Sequence, residues 1–118
     1  MIRPGTPEDS VELGALEVEL FGTGAWSPDD LLGVTGADRW VRVTTDQAGR
    51  LAGYVVTTVA GDVVDLLRIG VRTDHQGRGL GGILLAAALD AAAELPAAER
   101  MMLEVSEANA AATALYLG

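Results

Sequence analysis

A glycine-rich segment in the second half of the chain is the strongest candidate for chemistry. Gln76-Gly77-Arg78-Gly79-Leu80-Gly81-Gly82 stands between an extended aliphatic pattern at residues 66–71 and an apolar pattern of helical spacing at residues 80–89. Glycines let a backbone approach a ligand closely, and the following helix directs unpaired N–H groups and the positive end of its dipole towards the segment. The segment is therefore predicted to bind an anion such as a phosphate.

Two nucleotide-binding motifs are compatible with parts of this segment. Gly77, Gly79 and Gly82 match G-x-G-x-x-G, but a dinucleotide fingerprint needs its first glycine directly after the strand, an acidic residue about 20 positions on and a chain long enough for a doubly wound sheet. Here five residues, Arg72 to Gln76, intervene. The mononucleotide loop G-x-x-x-x-G-K-[S/T] is absent, since the chain has no lysine.

A third pattern fits better. Residues 76–81 match Q/R-x-x-G-x-G/A, and the segment resembles the pyrophosphate-binding signature of the GNAT superfamily of N-acetyltransferases. Residues 66–76, Leu103-Glu104-Val105 and residues 109–116 resemble its ribosomal-protein-alanine N-acetyltransferase subfamily, so the resemblance covers roughly the second half of the chain. It implies an α/β fold, also classed as α+β, with helices flanking a mixed, mostly antiparallel sheet. Its central parallel strands would be splayed for acetyl-coenzyme A.

The resemblance also implies a reaction. An acetyl group would pass directly from acetyl-coenzyme A to an amine, and the expected acceptor is the α-amino group of a protein N-terminus. Two alternatives stay open: an acetyltransferase for a small-molecule amine, and a catalytically inactive module that binds coenzyme A or has a regulatory role. A covalent enzyme intermediate is not expected, because the chain has no cysteine and no visible Ser–His pairing.

Two residues are candidates for proton transfer. Glu104 is the charged residue of the apolar run 101–105, where it either faces water or, as the resemblance implies, acts as the base. A carboxylate with a pKa of about 4.3 is a poor direct base for an amine, so a water relay or a raised pKa is expected. Tyr116 is either an aromatic anchor or the acid, because a phenol with a pKa of about 10 can protonate a thiolate. The resemblance gives Tyr116 a coenzyme contact as well.

The remaining expected coenzyme contacts follow from the same resemblance. Backbone groups of a strand would pair with the pantetheine arm and polarise the thioester, and the glycine segment would hold the phosphates. Asn109, also an expected helix cap, would contact the coenzyme. The set comprises Ile69, Gly70, Val71, Gln76, Gly77, Arg78, Gly79, Leu80, Gly81, Gly82, Asn109 and Tyr116. Arg78 either pairs with phosphate or faces water, Gly82 replaces a residue that is commonly basic in the family, and His75 is expected to be a loop residue.

Hydrophobic periodicity predicts the elements that position these residues. An edge strand at 2–4 precedes a helix that starts near Thr6 and runs to about Leu20, with its inner stripe at Val11, Leu13, Leu16, Leu20 and Phe21. A short helix at about 28–33 leads to an antiparallel meander of strands 39–45, 51–59 and 63–71. A helix ending near Leu95 then connects to a buried strand at 101–105, parallel to 66–71, and a last helix covers 108–116.

Composition sets further limits. The 118 residues, 49% of them hydrophobic, predict a single domain over 1–118, and the family pattern has two more strands after it, so the domain is expected to be incomplete or completed by another chain. The absence of cysteine and the single histidine argue against a metal site. A net charge of −9 argues against nucleic acid and favours either solubility or a cationic substrate.

The longest apolar run, 80–89, is about half of the ~20 residues that span a membrane, so we expect a soluble cytoplasmic protein without membrane contact. The sequence leaves the oligomeric state open.

Overall fold

The computed structural model describes residues 2–33, 39–60, 63–93 and 100–103. In these ranges the strands are β1 (Ile2–Pro4), β2 (Trp40–Thr45), β3 (Leu51–Ala60), β4 (Val63–Val71) and β5 (Arg100–Leu103). The helices are α1 (Ser10–Phe21), α2 (Pro28–Leu32) and α3 (Leu80–Ala93), with 3-10 turns at Pro7–Asp9, Gly22–Gly24 and Thr73–His75.

The strands form one sheet in the order β1-β2-β3-β4-β5. The first four are antiparallel neighbours, whereas β4 and β5 are parallel and pair from Val63↔Arg100 to Leu66↔Leu103. Helix α3 makes the crossover that a parallel pair requires. The predicted edge strand, meander and parallel last strand are therefore confirmed, and the predicted end of that strand, residues 104 and 105, lies outside the described residues.

Each face of the sheet has its own hydrophobic core. Helices α1 and α2 cover the first face, and α3 covers the second, so the alternating side chains of β2 to β4 are buried on both sides. The first core contains Leu13, Leu16, Leu31, Val41, Val43, Leu51, Tyr54 and Val56. The second contains Val55, Leu66, Ile69, Val71, Leu84 and Ala88.

A β-bulge at Leu67 interrupts the pairing of β4 with β3. Val56 pairs with Arg68 and Thr57 with Leu66, so Leu67 is the extra residue on β4. Residues two apart on a regular strand face the same side, but Leu66 packs in the α3 core while Arg68 contacts Glu17 of α1. The bulge therefore makes it possible for β4 to contribute an arginine to the α1 face.

The predicted helix boundaries are largely confirmed. The hydroxyl of Ser27 accepts a hydrogen bond of 3.2 Å from the amide of Asp30 at the start of α2, and Gly33, with φ of 75°, ends that helix. Helix α3 is described to Ala93, and its predicted end near Leu95 lies outside the described residues.

The predicted inner stripe of α1 is wrong at Val11, which is 85% exposed. Leu13, Leu16 and Glu17 are buried, with the i, i+3, i+4 spacing of one helix face, whereas Val11 lies two residues before Leu13 and therefore points about 200° away from it. The buried position that the stripe omitted belongs to a glutamate. In the part of the chain that the structure describes, no helix has the length and apolarity needed to cross a membrane.

Candidate functional site

The glycine segment leaves the carboxyl end of β4 and enters α3. Gly77 and Gly79 have φ values of 81° and 83°, and a Cβ added at either would meet no heavy atom within 4 Å. The conformation therefore needs glycine for its backbone dihedrals and leaves open space beside the chain. Strand, loop and helix stand in the predicted order.

Unpaired amides collect in this segment. The first hydrogen bond into α3 joins the Ile83 amide to the Gly79 carbonyl at 3.1 Å, so the amides of Leu80, Gly81 and Gly82 precede the helical ladder. Among the described residues, no acceptor lies in good hydrogen-bond geometry to the amides of residues 77–82. Several N–H donors and the positive end of the α3 dipole thus fit a bound diphosphate.

Gln76 has a different role in the structure from the rest of the segment. Its side-chain Nε2 donates a hydrogen bond of 3.0 Å to the carbonyl of Val71, the last residue of β4. The side chain therefore holds the start of the loop against the strand. The predicted coenzyme contact of Gln76 stays a prediction, and it would have to be made by another atom of the residue or by replacing this bond.

The three β4 residues predicted to contact the coenzyme are divided between the two faces of the sheet. Ile69 and Val71 are buried in the core beneath α3, together with Leu84. A Cβ on Gly70 would lie 2.7 Å from Leu20 Cδ1 and 2.9 Å from Tyr54 Cζ, so packing alone requires glycine there. The side chains of Ile69 and Val71 thus serve the core, and any pairing with a ligand falls to the backbone.

A cleft of about 540 Å³ adjoins the glycine segment. Arg78 and Leu80 form one side of it, and Asp46, Ala52 and His75 are among its other lining residues. Arg78 is exposed, and no partner for its guanidinium is found among the described residues. This cation is therefore free to pair with a phosphate oxygen. Its exposure fits both roles expected for it, and the phosphate contact stays a prediction.

Ionic contacts hold the base of the loop. The Arg72 guanidinium donates to the Asp46 carboxylate at 2.8 Å, to Asp74 at 2.8 Å and to the Leu51 carbonyl at 2.9 Å. Hydrogen bonds from His75 and Arg72 lower the pKa of Asp74 to about 2, and the bond from Arg72 holds the pKa of Asp46 well below its usual range. His75 takes part in this network at the base of the loop, 2.7 Å from Asp74, as expected for a loop residue.

A buried polar cluster under α1 was not predicted. The Glu17 carboxylate is fully buried; it accepts hydrogen bonds from the Tyr54 hydroxyl and the Trp26 amide and pairs with Arg68 at 3.2 Å. The Arg68 guanidinium lies 3.8 Å from the ring centroid of Phe21 and 4.6 Å from that of Trp26.

Arg68 also donates to the Gly24 carbonyl at 2.6 Å. The cluster therefore ties the segment between α1 and α2 to the bulge of β4. Burial, followed by the bond to Glu17, raises the pKa of Tyr54 above its ordinary value, so its hydroxyl remains a donor.

Glu104, Asn109 and Tyr116 lie outside the described residues. The nearest described position is Leu103, which ends β5 and pairs with Leu66, just before the bulge. Among the described residues, no group of three or more acidic, histidine or cysteine side chains is arranged to hold a metal ion.

The acetyltransferase (GNAT) family model matches residues 16–118. The chain belongs to the GNAT family of acetyltransferases. The five-stranded sheet, with its single parallel pair among the described strands, and the glycine loop before α3 are the GNAT fold, which confirms the fold expected from the resemblance. The family uses acetyl-coenzyme A as its co-substrate, and the open loop and unpaired amides of this GNAT chain fit the diphosphate of that molecule.

Named relatives refine this placement. The [ribosomal protein bS18]-alanine N-acetyltransferases of Salmonella typhimurium and Escherichia coli are 36% and 37% identical to this GNAT chain over 91 and 79 residues, which are 77% and 67% of it. The chain spans 60% and 53% of the length of these two relatives. The crystal structure of the Escherichia coli ribosomal-protein-S18-alanine N-acetyltransferase superposes with a TM-score of 0.81 at 29% identity, over 99% of this chain and 74% of that one.

Proposed function

We propose that this chain carries out N-acetylation of a protein N-terminus with acetyl-coenzyme A, and that the acceptor is an alanine α-amino group. The observation that carries the proposal is the set of unpaired amides at residues 77–82 beside open space, in a chain of the GNAT family. The names of the two relatives support the choice of acceptor, because both act on an alanine of a ribosomal protein. A cytoplasmic location is part of the same proposal.

The glycine loop would fix the coenzyme through its diphosphate. The amides of Leu80, Gly81 and Gly82 would donate to phosphate oxygens, and Arg78 would add a charge-assisted contact. Gly82 replaces a residue that is commonly basic in the family, so this position has no side-chain charge. Arg78 would then be the cation nearest the phosphates. Bound in this way, acetyl-coenzyme A supplies a thioester whose carbonyl carbon accepts the acceptor nitrogen.

Proton transfer would fall to two residues. Glu104 would take up a proton from the amine through water, since an amine with a pKa near ~8 is too basic for direct transfer to an ordinary carboxylate. The amine nitrogen would form a bond to the acetyl carbon, and the carbon–sulfur bond would break. Tyr116 would protonate the departing thiolate. Asn109 and the backbone of Ile69, Gly70 and Val71 would line the coenzyme.

A coupled assay tests the proposal directly. The intact chain is mixed with acetyl-coenzyme A and with peptides that begin with Ala, Ser or Met, and both thiol release and peptide mass are followed. A matched Ala peptide with a blocked N-terminus and an internal lysine separates α-amino from ε-amino transfer. We expect thiol release and a gain of one acetyl group on the free Ala peptide alone.

Each other outcome has a defined meaning. Turnover of polyamines without turnover of peptides would reject the protein acceptor in favour of a small amine. Coenzyme binding without thiol release would favour the inactive module, and no coenzyme binding would reject the function altogether. Glu104→Gln should slow turnover and change its pH profile, whereas Glu107→Gln, the same chemical change three positions later in the sequence, should do neither.

A further inference from the structure

A carboxylate of α1 is bonded to the base of the glycine loop. Glu19 Oε2 accepts a hydrogen bond of 2.9 Å from the Thr73 amide and another of 2.9 Å from the Thr73 hydroxyl. Thr73 opens the 3-10 turn Thr73–His75, which leads directly to Gln76. Glu19 therefore contacts the chain four residues before Gly77, where the proposed diphosphate site begins.

The charge of Glu19 is unfavourable for that site. A carboxylate near an anion-binding loop repels phosphate, so electrostatics alone predicts that its removal tightens coenzyme binding. A contribution other than its charge must therefore explain why a carboxylate lies at this position. Its geometry supplies one, since the first amide of a helical turn has no partner within the turn and Glu19 provides it from another helix.

Two other attachments of this stretch lead to the sheet. The Arg72 amide donates to the Ala52 carbonyl at 2.7 Å, and the Gln76 side chain donates to Val71 at 3.0 Å. Glu19 attaches the same stretch to α1. The 3-10 turn is thus attached both to the sheet and to α1. These attachments fix its direction and, with it, the direction of the amides that follow.

We infer that Glu19 is a positioning residue for the glycine loop: by holding both donors of Thr73 it fixes the direction of the amides at 77–82 and so strengthens coenzyme A binding. The inference rests on the proposed function, because it concerns the same coenzyme site. It predicts an effect opposite in sign to that of the charge, and this allows a decisive test.

The test compares two substitutions that remove the same charge. Glu19→Ala loses both hydrogen bonds, whereas Glu19→Gln keeps a carbonyl oxygen that can accept them. Titration calorimetry of the intact chain with coenzyme A should show about three- to tenfold weaker binding for Glu19→Ala, because part of the free energy of two hydrogen bonds would no longer hold the loop in its binding conformation. Glu19→Gln should bind as the parent does or more tightly.

Glu8→Ala is the matched control. Glu8 is an exposed acid in the turn that precedes α1, and among the described residues its side chain makes no hydrogen bond or close ion pair. Its removal changes the net charge by the same amount. We expect its coenzyme affinity to stay within about twofold of the parent value. Circular dichroism and the midpoint of thermal unfolding check that each variant is folded.

A second variant tests the contact itself. Thr73→Val removes the hydroxyl donor, and its effect should not add to that of Glu19→Ala, because both changes remove the same bond. Hydrogen exchange at the Thr73 amide should be faster in Glu19→Ala and unchanged in Glu19→Gln.

The outcomes separate this inference from the proposed function. If the parent binds coenzyme A and Glu19→Ala binds equally or more tightly, Glu19 does not strengthen coenzyme binding by positioning the loop, and the inference is wrong. If the parent binds no coenzyme A, the proposed function fails first and the inference fails with it. Unchanged exchange at Thr73 in Glu19→Ala would also overturn the positioning role.

Discussion

The glycine segment after β4 and the buried cluster around Glu17 differ in whether their polar groups have hydrogen-bond partners within the protein. In the segment, open space adjoins Gly77 and Gly79, and no hydrogen-bond acceptor is found for the amides of 77–82 among the described residues. In the cluster the Glu17 carboxylate is fully buried and receives donors from Trp26, Tyr54 and Arg68. Buried polar groups must be paired within the protein, whereas exposed ones remain available to a ligand.

This difference indicates separate roles for two parts of β4, its end and its bulge. The loop at the end of β4 is suited to bind, and the cluster at the bulge of β4 is suited to hold α1, the following segment and the sheet together. Changes in the cluster should therefore be felt as lost stability, and changes in the loop as lost coenzyme binding. The predictions below test that division.

The largest effect is expected for Glu17→Leu. The guanidinium of Arg68, whose side chain is 11% exposed, would lose its carboxylate partner, and leaving a buried charge unpaired costs about 3–5 kcal/mol of unfolding free energy. Urea denaturation measures the loss. In a triple variant with Tyr54→Phe and Arg68→Met no charge or hydroxyl is left unpaired, so most of the stability should return. A triple variant no more stable than Glu17→Leu would contradict the pairing argument.

A smaller loss of stability, accompanied by weaker coenzyme binding at only one of the two positions, is expected from a pair of glycines with the same backbone strain. Gly79 and Gly49 both have φ of 83°, and a Cβ at either would find open space. Alanine at each should therefore cost a similar ~1–2 kcal/mol in unfolding free energy. Only Gly79→Ala should also weaken coenzyme A binding, by about tenfold, because it redirects the amides that follow. Equal binding by the two variants, measured by calorimetry, would remove the loop from the coenzyme site.

The smallest effect concerns acid pH at the base of the loop. Because the folded protein lowers the pKa of Asp46, the stability that this carboxylate contributes is fully present above its unfolded pKa of about 3.9 and is lost as the pH falls towards the folded value. Asp46→Asn should thus be less stable at neutral pH and show a flatter decline of unfolding free energy below about pH 4.

Asp90→Asn is the matched control for this decline at acid pH. Asp90 is an exposed acid of α3 for which no side-chain partner is found among the described residues. Its decline below pH 4 should follow that of the parent. A parent-like curve for Asp46→Asn in urea titrations between pH 2 and pH 7 would contradict the ion pair with Arg72.

The glycine segment could be predicted because its signal is local. Two positive-φ glycines, the end of a strand and the start of a helix lie within a dozen consecutive residues, and backbone geometry follows from such short patterns. The contacts of the side chains in the segment do not follow from such a local pattern. The Gln76 side chain donates to the Val71 carbonyl, a contact that was not predicted, because the loop turns back onto the strand it leaves. Its contact with the coenzyme stays a prediction.

The Glu17 cluster had no local signal. Its glutamate and arginine are 51 positions apart, and they meet only because the bulge at Leu67 turns Arg68 towards α1. In sequence, Leu66-Leu67-Arg68-Ile69 gives no sign of an extra residue in the pairing. Val11 was wrongly assigned to the inner stripe for a similar reason. No local pattern shows that the buried face of α1 includes Glu17, an acid with buried partners, and excludes Val11.

The sequence by itself determined the order of strands and helices, the parallel last strand, the glycine loop and, through resemblance, the family. These depend on periodicity, turn residues and chain connectivity, which act between near neighbours. Only the tertiary structure decided which polar groups are paired: Glu17 with Arg68, Glu19 with Thr73, and the amides of 77–82 with no described partner. Pairing depends on how helices and strands lie against one another, and that arrangement results from the packing of the whole core.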